Sequence, residues 1–168
     1  DSFASYGDVA FVTLSRFATE GNDLAMVNDE GKRMLELDDN EKAIFQKIKD
    51  SGKFKKTVVL LNSVFAMEMD WLDEYNVDAV LWVGNPGFYG MPGAIRVVTG
   101  EVNPSGHSAD TFVYDLTAAP YFNNIGAFAY TNADSVGYTA AGLFGRDPEQ
   151  VPPHFVNYVE GIYVGYKF

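Results

Sequence analysis

Three short apolar runs punctuate the first half of the chain. Residues 9–14 (V-A-F-V-T-L), 57–61 (T-V-V-L-L) and 78–83 (D-A-V-L-W-V) are rich in β-branched and aromatic side chains. Runs of this length read as buried strands, and nearly unbroken hydrophobicity is what a helix-covered parallel sheet selects. Between them the period turns helical. Asp38 stands at a capping position with Glu41 three residues on, the spacing of a capping box. Ala43, Ile44 and Ile48 predict an apolar face for the helix that follows, and Gly52 its stop. Residues 67–75 predict a short acidic helix, residues 94–98 a helix stopped at Gly100, and residues 101–106 a turn-rich connection. Strand and helix alternate, so the fold class is α/β with a mainly parallel sheet and right-handed crossovers.

The irregular segments fall at informative places. Residues 17–37, with Gly21 and Gly31, predict a long loop over one end of the sheet, and Gly84-Asn85-Pro86-Gly87 predicts another. From about Thr111 the pattern fades. Residues 123–145 scatter Gly, Asn and aromatic side chains without a period. Residues 157–168 (N-Y-V-E-G-I-Y-V-G-Y-K-F) alternate loosely and predict an edge strand or hairpin. No repeat, low-complexity tract or dividing linker is visible, so the expectation is one domain over residues 1–168.

Composition narrows the function. Apolar residues make up 47% of the 168 and charged residues 21%, the balance of a globular chain. The formal net charge of −11 argues against nucleic acid and anionic membranes, which need clustered Lys and Arg. It suits a neutral substrate. The absence of cysteine removes disulfides, thiolate metal sites and a Cys nucleophile. No apolar run approaches the ~20 residues that span a bilayer. The chain has no initiator Met and begins one short step before its first strand, so it reads as a piece of something longer. Tyr and Phe are abundant, which fits either core packing or sugar-stacking surfaces.

Most chemical signatures are missing. There is no G-x-G-x-x-G between a strand and a helix, no Walker lysine and no G-x-S-x-G elbow, so no cofactor is expected. His107 and His154 are isolated from each other and read as surface or structural residues, and no metal site is predicted. Glu68, Asp70, Asp73 and Glu74 read as a solvated helix face, since their spacing is unlike a calcium loop. That leaves Glu20. It follows a buried strand, at the sheet end where open α/β folds place ligands, with Arg16, Gly21 and Asp23 close by. A general acid needs a raised pKa, which burial or nearby negative charge supplies and Arg16 would oppose. Glu20 is therefore either a catalytic acid/base or a loop carboxylate paired with Arg16. Asp23 either positions Glu20 or Arg16 or caps a turn.

Several segments together resemble the C-terminal α/β-sandwich domain of glycoside hydrolase family 3. S-R-F-A-T-E-G-N-D at 15–23 is similar to the family's S-R-x-S-G-E-G-x-D loop. V-V-L-L-N-S at 58–63 and M-E-M-D-W-L at 67–72 resemble its V-V-L-N-S and M-E-L-x-W-L. D-A-V-L-W-V-G-N-P-G-F-Y-G at 78–90 resembles D-A-I-L-W-x-x-x-P-G-x-x-G. G-E-V-N-P-S-G-H-S-A-D-T at 100–111 and E-G-I-Y-V-G-Y-K-F at 160–168 resemble G-D-V-N-P-S-G-R-L-x-D-T and E-G-I-Y-V-G-Y-R-Y. The segments occur in the family's order and cover most of the chain.

The resemblance implies a three-layer sandwich, with helices on both faces of the sheet. It implies a retaining β-glucosidase-like enzyme of two domains, with a nucleophilic Asp on a (β/α)₈ barrel outside this chain. The acid/base matches Glu20. The partners implied are a carbohydrate substrate and the barrel of the same protein, and the fragment alone is expected to be inactive. Arg16, Phe17, Asp23, Phe88 and Tyr89 are the candidate substrate-binding residues; the three aromatics either line an aglycone subsite or pack against the barrel. Phe17, Ala18 and Thr19 depart from the family's usual small residues, Leu24 replaces a common Arg, and His107 stands where Arg or Lys is usual. The family's sandwich has an earlier strand, and without it an open sheet edge would favour self-association. A non-catalytic carbohydrate-binding module of the same fold is the rival reading, and a flavodoxin-like nucleotide-binding domain a third that lacks its phosphate-cradling glycines.

Overall fold

In the computed structural model, residues 5–19, 24–122, 130–140, 147–151 and 157–163 are described. The chain divides into two compact units, Asp1–Asp115 and Leu116–Phe168.

The first unit is built on three parallel strands in the order β1-β2-β3: β1 at Val9–Ser15, β2 at Lys56–Asn62 and β3 at Ala79–Trp82. These are the three apolar runs. Helix α1 (Asp39–Ser51) connects β1 to β2, and the short α2 (Trp71–Glu74) connects β2 to β3. Both crossovers step across the sheet in the same direction, so right-handed connections lay both helices on one face. The core agrees. Val12 and Leu14 of β1, Val59 and Leu61 of β2, Phe45 of α1, and Trp71 and Tyr75 at α2 form one buried cluster.

Alternation along β1 is strict, with every second residue from Ala10 to Leu14 buried. The register stacks Phe11 beside Val58 and Ala79, and Thr13 beside Leu60 and Leu81, on the opposite face. There Val9 and Phe11 are exposed while Leu60 is buried.

Helix α1 forms where its signals lie. The Asp38 side chain accepts from the Glu41 N–H at 2.8 Å, and the Glu41 carboxylate accepts from the Asp38 N–H at 2.9 Å. Gly52 ends the helix in the left-handed region at φ 56°, a conformation that costs glycine little. Of the expected face only Ile48 packs against the core. Ile44 is 50% exposed and Ala43 is exposed, whereas Phe45 is 1% exposed, with half-buried Glu41 and Ile48 on its face. Its ring lies 5.3 Å from Trp71 and 5.4 Å from Tyr75, centroid to centroid. The ring's contacts with Trp71 and Tyr75 add aromatic packing to its burial, and so favour this rotation of the helix.

The third helix is longer than its sequence advertises. Helix α3 runs Gly87–Val98 and includes Pro92, with three glycines in its first seven residues. Residue 87 was expected to lie in a loop and the helix to begin at 94; the helix instead starts one residue after Pro86, whose carbonyl accepts from Gly90 N–H at 3.0 Å. No residue of α3 is fully buried.

The second unit holds a 3₁₀ turn at Leu116–Ala118, helix α4 at Ala133–Val136, and an antiparallel pair of β4 (Tyr138–Ala140) and β5 (Glu149–Val151). The strand or hairpin expected at 157–168 is absent from its described part, 157–163, where Tyr163 N–H closes a turn onto the Glu160 carbonyl at 2.9 Å. Gly161 at φ 57° breaks the extended run. Residues 164–168, 123–129 and 141–145 lie outside the described residues. Among the described residues no helix is long and apolar enough to cross a membrane.

Candidate active-site loop

The carboxyl ends of β1, β2 and β3 lie side by side, and the sequence changes character there. β2 ends at Asn62, and the buried Ser63 turns the chain: its hydroxyl accepts from Phe65 N–H at 2.9 Å and lies 3.1 Å from the Phe65 carbonyl. The Trp82 indole N–H at the end of β3 donates to the Ser63 carbonyl and ties the two strand ends together. Val83 N–H continues the ladder to the Leu61 carbonyl at 3.0 Å.

β1 ends in an anchor. Arg16 is the first residue past the strand, and its side chain is 8% exposed. Its Nε donates to the Met34 carbonyl at 2.6 Å. One terminal nitrogen donates to the Ser15 carbonyl and to Glu41 Oε1, both at 2.7 Å. The other donates to the Glu36 carbonyl at 2.6 Å and to Glu41 Oε2 at 2.8 Å. A guanidinium has five N–H groups, and all five have protein acceptors here. The pairing with Glu41 is the bidentate fork that makes Arg–carboxylate pairs strong and directional. No N–H of Arg16 remains for a sugar hydroxyl.

A second arginine ties the loop to the next strand end. Arg33 pairs with the carboxylate of Glu68 and, at 2.9 Å, with Glu36; Asp115 stands at 3.4 Å. The Glu68 side chain is 3% exposed, and its backbone N–H donates to the Leu35 carbonyl at 3.0 Å. This corrects the expectation of a solvated acidic face for Glu68: a carboxylate can be buried when a cation pairs with it. Asp70, Asp73 and Glu74 are exposed, as expected.

The remaining site candidates divide. Glu20 and Asp23 lie outside the described residues. Phe17 is 82% exposed beside Arg16. Phe88 and Tyr89, in the first turn of α3, are 98% and 97% exposed. Bare aromatic faces of this kind suit stacking on a sugar or covering by another surface. A cleft of about 790 Å³ opens beside the loop, lined by Phe17, Leu24, Lys32 and Asp39 among others. Lys32 bonds Asp39 at 2.5 Å, which raises the lysine pKa and lowers that of the aspartate. A second cavity, of about 740 Å³, lies between β3, α3 and residues 104–108, with His107 in its lining. His154 lies outside the described residues. Among the described residues no group of three or more His, Asp or Glu is placed to hold a metal.

The sequence reading missed Arg33, and took Glu41 only as a cap. The Glu41 signal was present, since a capping-box carboxylate keeps lone pairs free for a cation. Arg33 gave only its local pairing with Glu36, three residues on; its buried partner Glu68 lies 35 residues away.

A parallel sheet crossed by helices, with a polar, arginine-anchored loop at the end of its first strand, defines an α/β domain. The glycosyl hydrolase family 3 C-terminal domain matches residues 2–166, and the chain belongs to that family. It is 36% identical over 152 residues to a β-glucosidase of Ruminococcus albus, covering 89% of this chain and 15% of that protein. It is 26% identical over 184 residues to β-glucosidase A of Butyrivibrio fibrisolvens, covering 98% and 19%. A β-glucosidase of Schizophyllum commune is 29% identical over 167 residues, covering 98% and 73%. The chain thus spans less than a fifth of the first two relatives. It is a glycoside hydrolase domain of the α/β class.

Proposed function

We propose that this chain is the acid/base-bearing domain of a retaining β-glucosidase, with Glu20 as the acid/base. The nucleophilic Asp sits on a (β/α)₈ barrel domain of the same protein. One observation carries the reading. The S-R-F-A-T-E-G-N-D segment leaves the carboxyl end of β1 at a residue locked in place by five hydrogen bonds, so Glu20 stands four residues from a rigid anchor.

The chemistry follows from two carboxyl groups. The protonated Glu20 donates to the glycosidic oxygen as the barrel Asp attacks the anomeric carbon. The glycosyl-enzyme then forms, and Glu20, now ionised, takes a proton from the attacking water. In such pairs the carboxyls stand about 5–5.5 Å apart, a spacing that only the docked barrel completes. The substrate is a terminal β-linked glucoside. Phe17, Phe88 and Tyr89 offer exposed faces to its aglycone, and Asp23 helps position Glu20.

The test is Glu20→Ala in the barrel-containing protein. Turnover of glucosides with poor leaving groups falls by roughly 10²–10⁴-fold, and activated aryl glucosides fall far less. Azide restores part of the rate on activated substrates by trapping the glycosyl-enzyme. Unchanged turnover of both substrate types by Glu20→Ala rejects the assignment.

A further inference from the structure

Arg16 and Glu41 sit at the two ends of the segment that carries Glu20. Arg16 is the residue before that segment, and Glu41 lies in the first turn of α1, where the chain returns. The same guanidinium also holds the Met34 and Glu36 carbonyls, the last stretch of the return path. One side chain therefore pins both ends of an excursion between residues 16 and 34, eighteen positions apart. Its position is itself fixed. Glu41 Oε2 accepts from Arg16 at 2.8 Å and from the Asp38 N–H at 2.9 Å, so the helix cap and the clamp share one oxygen. Arg33 then ties the return path to the buried Glu68 beyond β2.

Burial makes this clamp directional. The Arg16 and Glu41 side chains are 8% and 14% exposed. A bidentate pair at that depth holds its geometry more tightly than an exposed one, because water does not compete for the fork. A lysine in place of Arg16 supplies the charge but reaches at most three of the five acceptors, and without the planar fork.

We propose that Arg16 and Glu41 are positioning residues that set where the Glu20 loop leaves the sheet. They act through the loop and do not touch substrate. The proposal rests on the acid/base reading of Glu20. A small displacement of a catalytic group lowers the rate of the step it serves by up to roughly 10²-fold and leaves other steps alone. The clamp is therefore read by the substrates that depend on proton donation.

The experiment compares Arg16→Lys, Glu41→Gln and Glu20→Ala in the barrel-containing protein on an alkyl β-glucoside and a dinitrophenyl β-glucoside. Glu41→Gln keeps a capping oxygen for the Asp38 N–H, so it removes the charge pair with least harm to α1. Arg16→Lys is expected to lower kcat/KM on the alkyl glucoside by roughly 10–100-fold, mostly in kcat, and on the dinitrophenyl glucoside by under about threefold. Glu41→Gln shows the same selectivity at smaller size, and decides the matter if Arg16→Lys does not fold. Equal losses on both substrates, or none on either, overturn the clamp while Glu20→Ala keeps its leaving-group dependence. If Glu20→Ala is itself indifferent to the leaving group, the acid/base reading falls and the clamp falls with it.

Discussion

Replacing Phe45 by Ala tests how α1 is seated on the sheet. The ring is 1% exposed and meets two aromatic neighbours at centroid distances of 5.3 and 5.4 Å. Removing a buried Phe side chain typically costs about 3–5 kcal/mol, because transfer free energy is lost and a cavity remains. Each aromatic pair adds roughly 0.5–1.5 kcal/mol to what burial alone supplies. The surrounding Val12, Leu14, Val59 and Leu61 are held on strands and cannot collapse into the space, so the expected value is near the upper end, about 4 kcal/mol. A domain of this size has roughly 5–15 kcal/mol in hand, so the loss is a large fraction of its stability. The matched control is Ile44→Ala, one position away and 50% exposed, with an expected change within about 0.5 kcal/mol. Urea unfolding followed by the fluorescence of Trp71 and Trp82 gives both numbers from the shift in midpoint at constant slope. If Ile44→Ala costs as much as Phe45→Ala, or Phe45→Ala costs under about 1 kcal/mol, the helix is rotated from the orientation described.

Two further outcomes follow from local chemistry. Asp38→Ala removes the side chain that accepts from Glu41 N–H and should lower stability by about 0.5–2 kcal/mol in the same urea experiment. Asp78 accepts from Lys56 and, at 2.8 Å, from the Thr57 N–H; the lysine and then that backbone bond hold its carboxyl below the ordinary carboxylate range. A depressed folded-state pKa gives stability that is present above the unfolded value and is lost as pH falls through the folded one. The gap in urea midpoint between wild type and Asp78→Asn is therefore expected to be open near pH 7 and to close towards about pH 3. A gap that widens on acidification would contradict the pairing.

How much could be read from residues alone depended on the range of the interactions. The three strands were legible because the runs at 9–14, 57–61 and 78–83 are short, apolar and rich in β-branched residues; their full burial was not, since β1 alternates buried and exposed residues and no residue of β3 is buried. The ends of α1 were legible because capping is a local hydrogen-bond arrangement, and Asp38, Glu41 and Gly52 carry it within single turns. The face of α1 was not. Ile44 and Phe45 are adjacent, and only the aromatic partners Trp71 and Tyr75, distant in sequence, decide which turns inward. Helix α3 was hidden by Gly90, Gly93 and Pro92, poor helix formers that local propensity weighs against the segment. At the loop, Arg16 was visible as a charge near Glu20, but its partners Met34, Glu36 and Glu41 lie 18–25 residues on. No spacing rule joins them; only the return of the chain does.

The register of the sheet has a consequence for the order in which the unit assembles. Every β1 residue pairs 47 positions ahead, as Val9 with Lys56 and Ser15 with Asn62 show by subtraction. The β2 residues that meet β3, Val58 to Leu61, pair only 21 ahead, as Val58 does with Ala79. Closing the longer span costs about 0.7 kcal/mol more in chain entropy, a roughly threefold handicap in rate. The β2–α2–β3 turn therefore closes first, and β1 docks onto a surface already made. The Arg16–Glu41 fork spans only 25 residues, close to the β2–β3 span, so by the same arithmetic it can tie β1 to α1 before β1 docks, and β1 and α1 then reach the sheet already joined.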